Sequence, residues 1–185
     1  MKCTKLFVNL FLLILTVANG FGQTNVAPAE LIVKSALAEA AKTHKNVFII
    51  FHASWCGWCY KMEDAMNDKN LKSFFDNNYV VAHLTVDESK DKKELENPGA
   101  NELRKKYHGD MQGIPYWFIL NANGQLLADS RLKPAGADVN AKAVNVGCPA
   151  SNEEVTYFAG VLKRTSSLND EQLTLIQKRF LKNKE

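Results

Sequence analysis

Two cysteines separated by two residues, in Trp55-Cys56-Gly57-Trp58-Cys59, are the part of this sequence best suited to covalent chemistry. A cysteine thiolate attacks disulfides, and a second thiol within reach can break the mixed disulfide that results. The pair follows the apolar run Val47-Phe48-Ile49-Ile50-Phe51, and beyond it the pattern turns helical through Met62 and Met66. A helix beginning near Cys56 aims free N–H groups and the positive end of its dipole at that sulfur, which favours the thiolate. Cys56 is therefore expected to be the exposed attacking sulfur. Cys59, one helical turn on, is expected to be the more buried, resolving one.

Other chemistry is open to the same residues. The pair could be a structural bridge, although such bridges gain most by closing long loops. With His52 and Cys148 it could bind zinc or copper, yet a second close cysteine pair is missing. No metal and no cofactor is therefore assigned. Cys148 could also be a regulatory third thiol or an intermolecular link. A packed thiol without a role is its plainer reading.

The chain of 185 residues opens with Lys2 and Lys5, an apolar run from Leu6 to Val17, and then the small residues Ala18, Gly20 and Gly22. That order predicts a signal peptide over residues 1–22 and an exported protein. The periplasm is the expected compartment, with secretion as the alternative. The apolar run is too short to span a bilayer, so no membrane span is expected in the mature chain. Residues 23–185 form one expected domain. Losing the two lysines takes the formal charge from +3 to +1, which leaves no basic surface for nucleic acid. The three remaining cysteines are too few for a disulfide-stapled fold, and chemistry explains them better.

The pattern predicts the elements that must hold the cysteines in place. A helix over Ala29–Thr43 enters through Pro28, with Leu31, Ser35, Ala38 and Ala41 on one face. The run at 47–51 reads as a central strand buried on both faces, and Tyr79–Val86 as a second buried strand. Asp68 is placed as the cap of a short helix over Leu71–Phe75. Glu88–Asn97 is a charged loop, and Asn101–Tyr107 a short helix ending near Gly109. Tyr116–Leu120 and Leu126–Ser130 are strands joined by the turn Asn121-Ala122-Asn123-Gly124. Arg131–Ala150 has no clear period and is either a functional rim or a misread segment. Ser151 with Glu154 opens a helix to about Thr165. Asn169 with Gln172 opens a last one to Lys182, stapled by Leu168 and Leu173. The order gives an α/β fold, a mixed four-stranded central sheet with helices on both faces and an extra C-terminal helix.

The segments Val47–Cys59 and Gly113-Ile114-Pro115 resemble the two signature segments of the thioredoxin superfamily. The likeness covers about residues 29–165. Exported thioredoxin-like domains are similar, including the C-terminal domain of the thiol:disulfide interchange protein family. The resemblance implies the thioredoxin fold and a thiol–disulfide oxidoreductase. Catalysis would pass through Cys56 and Cys59 as a redox-active disulfide. It implies a cis Ile114–Pro115 bond facing the cysteines, which would present the Ile114 backbone as an edge for an extended substrate. Trp55, Trp58, Ile114 and Pro115 are thus expected to contact substrate, although Trp58 could simply pack on its helix. The implied partners are disulfide-containing proteins and a membrane electron donor, with the protein acting as a reductase. A thioredoxin-like chaperone that holds metal or a client without redox turnover is the alternative.

The sequence departs from the family pattern at two places. Trp58 replaces the proline of the usual Gly-Pro dipeptide. Ile50 stands where ordinary thioredoxins carry a buried aspartate, and His83 falls at the position of its partner lysine. Glu63 or solvent could replace that acid, but a surface helix carboxylate is the simpler account of Glu63.

Overall fold

A computed structural model describes residues 26–132 and 142–184 of the chain. The expected signal peptide over 1–22 and the middle of the 131–150 segment lie outside the described residues.

Helix α1 (Ala29–Thr43) starts at Pro28, and the Ala29 N–H is anchored on the Pro98 carbonyl at 2.9 Å. The face expected from the sequence is corrected here. Leu31, Ser35, Ala38 and Ala41 are exposed, while Ala36 and Ala40 are buried, with Ile32, Val33 and Leu37 packed beside them. The branched residues follow the i, i+4 rows of the true apolar stripe, so packing rather than alanine content decides the face.

Strand β1 (Asn46–His52) is central, as its unbroken apolar run requires. It leads into helix α2 (Gly57–Met66) and then α3 (Lys72–Asn78), which return the chain to strand β2 (Tyr79–Thr85). β2 pairs with β1 in parallel, from Asn46 against Tyr79 to His52 against Thr85. β3 (Tyr116–Leu120) pairs antiparallel on the other side of β1, and β4 (Leu126–Asp129) forms a hairpin with it. The sheet order is β2-β1-β3-β4, so β2, expected as a second buried strand, is an edge strand and only partly buried.

Alternation along β1 and β3 divides the core between the two faces of the sheet. Phe48, Ile50, Trp117 and Ile119 meet Met62 of α2 and Phe158 of helix α5 (Asn152–Thr165). Val47, Ile49, Phe51, Tyr116 and Phe118 meet α1 and Ala100 of helix α4 (Ala100–Lys106). The Phe48 ring lies 5.4 Å from that of Trp117 and 6.4 Å from that of Phe158. Burying rings this large contributes strongly to the stability of that face.

Both expected capping boxes are present, Ser151 with Glu154 on α5 and Asn169 with Gln172 on α6 (Asp170–Leu181). Leu168 and Leu173 are buried in the same cluster. Three smaller expectations change. Asp68 does not cap α3: its carboxylate accepts from the Asn70 N–H at 2.9 Å, closing a turn of its own. Within the charged 88–97 loop, Lys90–Leu95 winds as 3-10 turns. The 131–150 segment contains a small antiparallel ribbon, β5 (Arg131–Leu132) against β6 (Val144–Asn145). Among the described residues no helix is long and apolar enough to cross a membrane.

Candidate active site

β1 ends at His52, and the chain turns through Ala53-Ser54-Trp55 into α2. Cys56 is the N-cap of that helix, with extended backbone. Its Sγ accepts a hydrogen bond from the Cys59 N–H at 3.1 Å. Sulfur thus takes the place that a serine or aspartate oxygen fills at an ordinary helix start. Cys56 and Cys59 are joined as a disulfide with an S–S distance of 2.00 Å.

The expectation of an exposed Cys56 and a more buried Cys59 is corrected in this oxidised state. Cys56 is 3% exposed and Cys59 6%. The two bonded sulfurs pack against Ala53 and Ile114. The flanking rings are what face solvent: Trp55 is 59% exposed and Trp58 47%. Lys61 Nζ lies 4.9 Å from the centre of the Trp58 ring, so one face of that ring carries a cation.

The turn is held from behind by residues to which the sequence pattern assigns no role. The buried Glu88 carboxylate accepts from the Ser54 N–H at 2.6 Å and from the Ser54 hydroxyl at 2.7 Å. Trp55 Nε1 donates to the Asp87 carbonyl at 2.8 Å, and the Tyr60 hydroxyl donates to the Ser54 carbonyl at 2.9 Å. Asp87 is itself gripped by Arg104 from α4, at 2.6 and 3.1 Å. A signal for this did exist. Parallel strands in step carry the residues that follow them out of the sheet side by side, so Asp87-Glu88 had to emerge beside Ser54-Trp55.

The other wall is the loop before β3. Ile114–Pro115 is cis, as the resemblance implied, and the Ile114 carbonyl oxygen lies 3.6 Å from Cys56 Sγ. Asn145 of β6 braces this loop by donating to the carbonyls of Gly113 (2.7 Å) and Pro115 (3.0 Å). Gly147 has φ +52, and a Cβ there would meet the Pro115 carbonyl at 3.3 Å. Its own carbonyl accepts from Trp117 Nε1 at 2.8 Å. A groove of about 370 Å³ results, lined by Trp58, Ile114, Pro115, Val144, Val146 and Cys148, among others. Of the four expected contact residues, Trp58, Ile114 and Pro115 line this groove and Ile114 packs on the disulfide, while Trp55 stands outside it; the described residues 144–148 form the facing side.

Cys148 is a free, buried thiol facing Asn183, whose amide lies 3.2 Å from its sulfur. Burial pushes this thiol up to about 12.

Ile50 is buried and lies in register with His83, so the pair of positions is as the sequence implied, without an acid at 50. His83 Nε2 lies 3.7 Å from Glu63 Oε1, and Glu63 keeps a half-buried side chain. Burial lowers the pKa of His83, opposed by Glu63; burial also lowers that of His52, helped by His83. His52 faces Thr85 (3.3 Å) and the His83 ring, and Cys148 faces Asn183, so these two candidate ligands are turned to different partners. Among the described residues no three His, Cys, Asp or Glu side chains are grouped to hold a metal.

Residues 33–134 match the family described as the Thioredoxin-like domain. Among curated proteins, a protein disulfide-isomerase from Medicago sativa is 28% identical over 105 residues, which is 56% of this chain and 18% of that one. The disulfide bond reductase DsbH of Chlamydia pneumoniae is 26% identical over 103 residues, 55% of this chain and 61% of that one. The chain thus spans less than two thirds of the length of either relative. Among solved structures, a disulphide isomerase from Xylella fastidiosa Temecula1 aligns with a TM-score of 0.47 at 21% identity, covering 86% of this chain and 93% of that one.

Proposed function

This chain belongs to the thioredoxin-like domain family, and from that membership we propose that it is a thiol–disulfide oxidoreductase acting on protein disulfides through Cys56 and Cys59. The observation that carries the reading is the Cys56 sulfur at the N-cap of α2, accepting an N–H bond, with Cys59 bonded to it one turn on. A structural bridge needs no such place. A sulfur that must carry negative charge for an instant gains from donors already aimed at it.

As a reductase, the dithiol form begins the cycle. The Cys56 thiolate attacks one sulfur of a client disulfide, an S–S bond forms between protein and client, and the client's other sulfur leaves as thiolate. Cys59, deprotonated, then attacks Cys56 Sγ, releases the second client sulfur and closes the Cys56–Cys59 disulfide. Two electrons have passed to the client, and a thiol donor must restore the dithiol. In this reading an extended client segment lies in the groove lined by Trp58, Ile114 and Pro115, and touches the exposed Trp55 ring next to Cys56. A membrane electron donor and an exported, periplasmic location complete the proposal, with residues 1–22 as the signal peptide. The names of the two curated relatives support the same chemistry.

The test is reduction of a protein disulfide such as that of insulin, with a chemical thiol as donor. Wild type should turn over, and Cys59→Ser should accumulate mixed disulfides with clients on non-reducing gels. No turnover by wild type and no capture by Cys59→Ser would refute the proposal. Tight stoichiometric zinc or copper binding by such an inactive dithiol would point to a metal-holding protein instead.

A further inference from the structure

Glu88 is the most buried charged residue described outside the disulfide turn, 4% exposed, and the chemistry above does not use it. A carboxylate withdrawn from water is costly unless its oxygens are satisfied. Here both are, and both by one residue: Ser54, two positions before Cys56, donates its N–H to Oε1 and its hydroxyl to Oε2. Glu88 is in turn fixed at its backbone, where its N–H donates to Glu96 Oε1 at 2.7 Å. Next to Glu96, Asn97 closes the loop onto the end of β2, accepting from the Thr85 N–H at 2.6 Å and donating its own N–H to the Thr85 carbonyl at 3.0 Å. The charged 88–97 loop is thus tied at its base and directs one carboxylate inward, beneath the turn that leads to the attacking sulfur.

We propose that Glu88 is a positioning residue for Cys56: its carboxylate fixes Ser54 and so the approach of the chain to the helix start, and its charge opposes ionisation of the Cys56 thiol. The inference rests on the oxidoreductase reading for its meaning, but the alkylation arm of its test does not. Two consequences separate. The hydrogen bonds act through geometry, which glutamine can reproduce by accepting from the Ser54 N–H and donating to its hydroxyl. The charge acts through space, which glutamine removes. Other ionisable groups flank the turn. They are His52 before it, Tyr60 and Lys61 on α2, Asp87 with Arg104 behind Trp55, and Cys148 and Glu154 across the groove. Of these, His52 is coupled to position 88: the Glu88 carboxylate opposes the lowering of its pKa, so Glu88→Gln leaves that imidazole lower still.

The experiment measures iodoacetamide alkylation of Cys56 in the full-length reduced protein across pH, together with insulin reduction. Glu88→Gln should move the midpoint of Cys56 alkylation down by about half a pH unit and keep insulin reduction within about threefold of wild type. Glu88→Ala should slow insulin reduction about tenfold, the loss expected for hydrogen bonds to a charged group. Ser54→Ala keeps the N–H contact and loses the hydroxyl one, so it should fall between Glu88→Gln and Glu88→Ala. An unmoved or raised alkylation midpoint in Glu88→Gln overturns the electrostatic half. Wild-type reduction rates in both Glu88→Ala and Ser54→Ala overturn the positioning half. If Glu88→Ala does not fold, Ser54→Ala and Glu88→Gln decide alone. A wild-type protein that reduces no insulin counts against the proposed function, while the alkylation midpoint still judges Glu88.

Discussion

Three cysteine sulfurs lie in the described part of this molecule, and exposure does not tell them apart. Cys56 is 3% exposed, Cys59 6% and Cys148 6%. Their surroundings differ completely. Cys56 caps a helix and accepts an N–H bond from its first turn. Cys148 sits in the packed rim beyond Pro115, with an amide as its neighbour and its ionisation pushed up to about 12 by burial. Reactivity in a thiol is set by what stabilises its anion, and a helix start does this while a close-packed wall does not.

The comparison breaks first, and most visibly, at the pair itself. Cys56→Ser should reduce disulfide exchange to the uncatalysed rate, while Cys148→Ala should leave it within about twofold, since only the thiolate attacks. An equal loss in both variants, measured by insulin reduction, would mean that the third sulfur takes part. Next in size is selective labelling. In the reduced protein at pH 7, iodoacetamide should modify Cys56 at least about a hundredfold faster than Cys148, because so little of a thiol titrating near 12 is ionised there. Peptide mapping by mass spectrometry gives both rates.

Cys148→Ala should also lower unfolding free energy by about 1–3 kcal/mol, from the small cavity and the lost amide contact. Denaturant melts against pH refine this. The ordinary value of this thiol is 9.0, and folding raises it to about 12. The folded state therefore holds its proton where the unfolded chain has lost it. This contribution is complete below pH 9 and is lost as pH climbs through 12. Above pH 9, the alkaline decline in stability should be shallower in Cys148→Ala than in wild type.

The smallest effect concerns the imidazoles beside the other two sulfurs. His52 and His83 are held below 6.5, so the unfolded chain binds protons there before the folded one does. Their contribution is present above pH 6.5 and is lost as pH falls through the folded values. His83→Gln should flatten the acid limb of the stability profile without shifting the alkaline one.

Much of this was legible along the chain. Ser151/Glu154 and Asn169/Gln172 announced their helices because a capping box is a local device, complete within four residues. The Cys56 turn was equally legible, since a strand, a motif and a helix follow in unbroken order. What escaped detection is non-local. Asn145 earns its role only because β6 comes to lie on the Gly113–Pro115 backbone, and nothing near residue 145 announces that contact. Glu88 sat in a run of charges that reads as solvated surface, and its burial depends on the register of two strands. The face of α1 was misjudged because alanines fit either side, whereas the docking of Ile32 and Val33 on the sheet does not.

One feature at the far end of the fold bears on durability. Lys61, midway along the disulfide-bearing helix, donates to the Asn183 carbonyl across 122 positions of sequence at 2.7 Å, and just past that helix Arg179 pairs with Asp68 at 3.3 Å. The disulfide-bearing helix is therefore moored to residues 179–183. A protease that cuts at this stretch, or a pulling force applied there, would slacken the cysteine helix before disturbing the sheet, so damage there should register as lost turnover ahead of any loss of strand structure.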